Sequence, residues 1–128
     1  MVGRMRSAYS LVVDLKLVVA EWHASVNSAD PHRAAQAVTD PVLVLGPRGT
    51  AEISPAQFAE WVERSGIRLE PREWHPIDDH VMVVEQDATW PESPTATRVA
   101  TVFRVRGGKV AAALRCPDLA TALEQATA

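Results

Sequence analysis

The chain is poor in cysteine, in tyrosine and phenylalanine, and in charge of one sign. Its 128 residues hold one cysteine, one tyrosine and two phenylalanines beside four tryptophans. A lone Cys116 excludes an internal disulfide and any zinc site built on paired cysteines, and it suits a reducing compartment. Lysine and arginine total 13 against 16 acidic residues, giving a net charge of −3 spread along the chain. No basic stripe is left to neutralise phosphates, so nucleic acid is not an expected partner. The six glycines are too few and too irregular for a phosphate-binding loop. Arg4 and Arg6 precede an apolar stretch as in a signal peptide, but Asp14 and Lys16 interrupt it, and no uncharged run reaches the roughly 18 residues that cross a bilayer. The expectation is a cytoplasmic protein that does not enter the membrane.

What is present is enough apolar material for one core: 47% of the residues are hydrophobic, and a chain of this length buries about 68% of its unfolded surface. One domain over 1–128 follows, with 1–9, ahead of the first clear pattern, expected to be disordered. Leu11, Leu15, Val18, Trp22 and Val26 recur at helical spacing, and Val12 and Val19 widen the stripe. Asp30 and Pro31 read as the cap and first position of a short second helix through Val38, ended by Asp40 and Pro41. Val42 to Leu45 is a short apolar run before the turn residues Gly46 to Gly49, and reads as a buried strand. Ser54, Pro55 and Gln57 form a capping box for a third helix with Phe58, Trp61 and Val62 on its buried face, stopped by Gly66. Four antiparallel strands follow, at Ile67 to Trp74, His80 to Trp90, Thr97 to Arg106 and Lys109 to Cys116. Gly107 and Gly108 suit the tight hairpin between the last two. Asp118 caps a closing helix through Ala126. This order defines an α+β chain in which a curved, mainly antiparallel sheet is wrapped by about three N-terminal helices around a pocket.

The runs EWHASVNSAD (Glu21 to Asp30), VLVLGPRG (Val42 to Gly49) and FRVRGGKVAAALRCPDL (Phe103 to Leu119) resemble the nuclear transport factor 2-like superfamily, in particular its SnoaL-like branch. The likeness extends over almost the whole chain. It implies a cone-shaped fold, a pocket between the concave sheet face and the helices, and a homodimer formed through the outer sheet face. Trp74 and Trp90, strand residues near turns, are candidates for that dimer surface.

The superfamily includes ketosteroid isomerases, epoxide hydrolases, dehydratases and polyketide cyclases, so the fold does not select a reaction. Laid over a ketosteroid isomerase, the substrate-binding tyrosine falls at Trp22, the aspartate base at Gly46 and the protonated aspartate at Thr101; none of the three acid–base groups is kept. The acid that epoxide hydrolases and cyclases carry in their last strand matches Arg115, whose guanidinium holds an anionic oxygen instead of moving protons. A strict two-residue turn at Gly107 and Gly108 puts Arg115 on the face opposite Phe103, whereas a one-residue bulge brings both to one face. The resemblance implies the bulge.

Trp22 and Trp61 lie on inward helix stripes, where an indole either walls a ligand site or fills core. Glu85 and Gln86 alternate across their strand, and the resemblance places Gln86 inward. His23 lies about 100° from Trp22 around its helix. His75, Asp78, Asp79 and His80 are crowded in sequence but lack the companions that complete a metal shell, and no metal or cofactor is expected. The ligand-binding candidates are therefore Trp22, Trp61, Gln86, Thr101 and Arg115, with no catalytic residue assigned. The expected partner is a small hydrophobic or weakly acidic molecule. The other reading is an isomerase, cyclase or dehydratase acting on an oxygenated ring compound, with Arg115 facing a developing oxyanion and His23 or another polar group moving the proton.

Overall fold

The computed structural model describes residues 8–46 and 49–127, with the side chains of 8–13 and 94 outside the description. Among the described residues, four helices, α1 (Ala8–Ser28), α2 (Pro31–Gln36), α3 (Pro55–Ser65) and α4 (Leu119–Thr127), accompany six strands. These are β1 (Val38–Gly46), β2 (Gly49–Ile53), β3 (Arg68–Pro76), β4 (Val81–Trp90), β5 (Ser93–Arg106) and β6 (Lys109–Cys116). They form one open sheet in the order β2-β1-β6-β5-β4-β3, antiparallel throughout except where β1 runs parallel to β6. The architecture is the α+β cone that the sequence indicates.

Helix α1 is described from Ala8, so Ala8 and Tyr9 of the 1–9 stretch fall within it; the rest of 1–9 lies outside the described residues, as do Pro47 and Arg48 between β1 and β2. Helix α2 stops at Gln36 instead of Val38. Val38 is drawn into β1 by pairing with Val110 of β6, and a buried β-branched residue favours a strand. Pro41 does not end the segment because it sits in the interrupted stretch of the β1–β6 pairing, between Val38 and Leu43, where a missing N–H costs no ladder bond. Strand β2 is not apparent from the sequence: it is an edge strand, exposed along its length up to the half-buried Ile53, so it has no alternation to read.

Alternation along the sheet divides two apolar layers. Leu69, Met82, Val84, Ala88 and Phe103 face inward and meet Leu15, Val19, Trp22 and Val26 of α1 and Phe58 and Val62 of α3. Val81, Val83, Ala100, Val102, Leu114 and Cys116 face outward, where Ala122 and Ala126 of α4 cover them. The two strand-borne tryptophans are not on that outer face. Trp74 and Trp90 pack against the inner core, Trp74 beside His23 with ring centroids 5.6 Å apart.

Gly107 and Gly108 have φ of 59° and 77°, the doubly left-handed turn that non-glycine residues resist. Past the turn the pairing shifts by one: Val105 opposes Val110, but Arg104 opposes Ala112, leaving Ala111 as an extra residue. This bulge sets Thr101 opposite Arg115 and Phe103 opposite Ala113 on the concave face.

Candidate functional site

A cavity of about 440 Å³ lies between α1, α3 and the concave side of β1, β5 and β6. Its walls are apolar: Trp22, Phe58, Trp61 and Leu69 on one side, Val44, Leu45, Ile53 and Ala113 on the other. Thr101 and Arg115 reach it from neighbouring strands, while Gln57, Glu60 and Arg64 of α3 stand at its edge. Helix α3 is held in place by its capping box, in which Gln57 N–H donates to Ser54 Oγ at 3.1 Å and Ser54 N–H to Gln57 Oε1 at 2.9 Å. A wider groove of about 1050 Å³ runs between the N-terminal half of α1 and the β5–β6 hairpin. It shares no residue with the cavity and is the more open of the two, so the enclosed cavity with converging polar groups is the candidate site.

Four of the five candidate residues line this cavity: Trp22, Trp61, Thr101 and Arg115. Trp22 is 3% exposed and packs edge-on to Phe103 at 4.8 Å, so it supplies wall and core together. Its indole N–H is the one buried side-chain polar atom without a hydrogen-bond partner among the described residues. Trp61 is half-buried against Phe58. Gln86 is fully buried and stands behind Thr101 instead of lining the cavity.

Arg115 has no ion-pair or hydrogen-bond partner among the described residues; its guanidinium lies 5.6 Å from the centroid of the Trp90 ring. The residue as a whole is exposed, yet partial desolvation of its head lowers its pKa. Both hold for an arginine at a cavity rim whose head lies against an indole. A guanidinium remains charged under such a shift.

Behind the wall runs a polar chain that the sequence does not reveal. Thr101 Oγ1 donates to Gln86 Oε1 at 2.7 Å, Gln86 Nε2 lies 2.8 Å from His23 Nε2, and His23 Nδ1 lies 2.8 Å from the Val19 carbonyl one helical turn back. His23 and Thr101 are 3% and 2% exposed. Burial pushes the His23 pKa down to about 4, against a smaller upward pull from the Val19 bond. The ring is therefore neutral at physiological pH. Members 63 and 15 residues apart converge through the packing of α1 on the sheet and the β4–β5 register.

These elements define an open mixed sheet cupped by helices around an apolar cavity, and the chain has the nuclear transport factor 2-like fold. No protein-family model matches it, and no curated protein matches its sequence. Solved structures do. The epoxide hydrolase/cyclase-like enzyme SalBIII, of pyran ring formation in polyether salinomycin, is 17% identical at a TM-score of 0.70, over 82% of this chain and 91% of that one. A computationally designed 17-OHP binder is 13% identical at a TM-score of 0.70, over 84% and 92%. An NTF2-like protein of unknown function from Cytophaga hutchinsonii is 10% identical at a TM-score of 0.65, over 89% and 92%.

Proposed function

We propose that this protein is a small-molecule-binding SnoaL-like domain whose cavity takes a partly hydrophobic ring compound bearing an anionic oxygen. The observation that carries the reading is Arg115, a cation with no carboxylate partner among the described residues, at the rim of a mainly apolar cavity. A ligand carboxylate, enolate or phenolate would complete it. Binding without turnover is favoured over an isomerase, cyclase or dehydratase because the lining has no suitable base. Glu60 is its one carboxylate among the described residues, and it is exposed and 3.9 Å from Arg64. His23 is turned to Gln86 and Val19 and does not line the cavity.

Replacing Arg115 by Met keeps much of the side chain and removes every donor. Calorimetry with 2-naphthoate should show a loss of about 1.5 to 3 kcal/mol, the range of a hydrogen bond to a charged group, while a neutral naphthalene carboxamide should change little. Equal loss for both would indicate a packing defect and count against the anchor. The reading includes a two-fold homodimer and a cytoplasmic location. The first rests on the fold's likeness, the second on an unpaired, buried Cys116 and on the absence of any described helix long and apolar enough to cross a membrane.

A further inference from the structure

The Val19 carbonyl can only accept, so the His23 Nδ1 beside it carries a proton and donates. On a neutral ring Nε2 is then a lone pair, and it accepts from the Gln86 amide nitrogen. That fixes the amide: its oxygen is turned to Thr101, whose hydroxyl donates to it. A hydroxyl has one hydrogen, and Thr101 has spent it inside the protein. Only its lone pairs remain for the cavity that Thr101 lines. No charged group takes part in the chain; the His23 ring is enclosed by Trp22, Phe103 and Trp74 with centroids 5.1, 5.3 and 5.6 Å away.

We propose that Thr101 is an obligate acceptor, so that the bound molecule is a hydroxylated ring acid, with a hydroxyl or N–H donor facing Thr101 beside the anionic oxygen held by Arg115. This rests on the reading of the cavity as a site for anionic ring compounds and narrows it. Thr101 and Arg115 are direct cross-strand partners, which places donor and anion on the same edge of the ligand. A ligand acceptor set against Thr101 would oppose lone pair to lone pair where water has almost no access, and a site built for a donor rejects such analogues strongly.

The probes are a set of positional hydroxy-2-naphthoates, their fluoro counterparts, which are close in size but lack the donor, and unsubstituted 2-naphthoate. At least one hydroxy acid should bind about tenfold or more tighter than its fluoro counterpart, the scale of one buried hydrogen bond. Gln86→Met releases the Thr101 hydrogen, which can then turn to the ligand, and should bring that ratio within about threefold. Thr101→Ser should keep the ratio; Thr101→Val should abolish it by weakening the hydroxy acid alone. The serine and valine variants decide the matter if Gln86→Met does not fold. Equal affinities for every hydroxy and fluoro pair, or a ratio unchanged in Thr101→Val, would overturn the proposal. If 2-naphthoate binds and loses affinity in Arg115→Met while the pairs do not differ, the cavity reading stands and this one falls. If no naphthoate binds, both fall.

Discussion

His23 is enclosed by aromatic rings and hydrogen-bonded at both nitrogens, so charging it on folding is costly. Its folded pKa of about 4 lies below the ordinary 6.5. The unfolded chain therefore takes up a proton that the folded one refuses. Stability is whole above pH 6.5 and is lost as the pH falls toward about 4, by roughly 3 kcal/mol in all. Urea unfolding at half-unit steps between pH 7 and 4.5 should show this slope in the wild type and a much flatter one in His23→Gln. Parallel slopes would assign the acid sensitivity to other groups. Asp87 and Asp118 also have lowered pKa values, through Arg98 and Thr121 respectively, and their stabilisation is lost at lower pH still. At this scale the sequence is informative in part. Helical spacing places Trp22 and Trp61 inward; strand alternation turns one of Glu85 and Gln86 inward, and the family resemblance selects Gln86. The partnership of His23, Gln86 and Thr101 has no local signature, since it exists only once α1, β4 and β5 are stacked.

Among the elements, α1 is joined to the edge strand β3 at Asn27, whose backbone carbonyl accepts from Arg68 Nη1 at 2.8 Å. Asn27 Oδ1 accepts from Leu69 N–H at 2.8 Å, and Asn27 Nδ2 donates to the Leu69 carbonyl at 2.9 Å. The amide thus occupies the place that a further strand would take on β3, at the Leu69 that lines the cavity. Asn27→Leu should leave both backbone groups unpaired in a half-buried place and lower stability by about 2 kcal/mol. Hydrogen exchange should report it first at Leu69, and an unchanged Leu69 amide would show that the bridge is replaced by water. The capping box of α3 is legible because its signals are adjacent in sequence. Strand β2 is not, because ladder bonds hold it and it has almost no apolar side chains to mark it.

At the scale of the whole molecule, α4 changes what the outer sheet face offers. It covers the apolar residues of β4, β5 and β6, the surface that an antiparallel sheet would otherwise have to bury against a partner. Arg72 and Arg98 flank Asp87 on the neighbouring strands, adding charge to the uncovered part. Sedimentation equilibrium at tens of micromolar tests the proposed homodimer: a two-fold species is expected, and a monomer throughout would end it. The general plan was readable in the order of helices and strands. The face presented by β6 came from the family resemblance and not from the residues alone, because it depends on the bulge at Ala111. That single supernumerary residue makes the site a matter of counting as well as of chemistry. Were the bulge to close with Ala111 taken into the ladder, each side chain from Ala112 to Cys116 would exchange inside for outside, sending Arg115 to the α4 side and Leu114 into the cavity, whereas deleting Ala111 would leave Thr101 opposite Arg115 as they are.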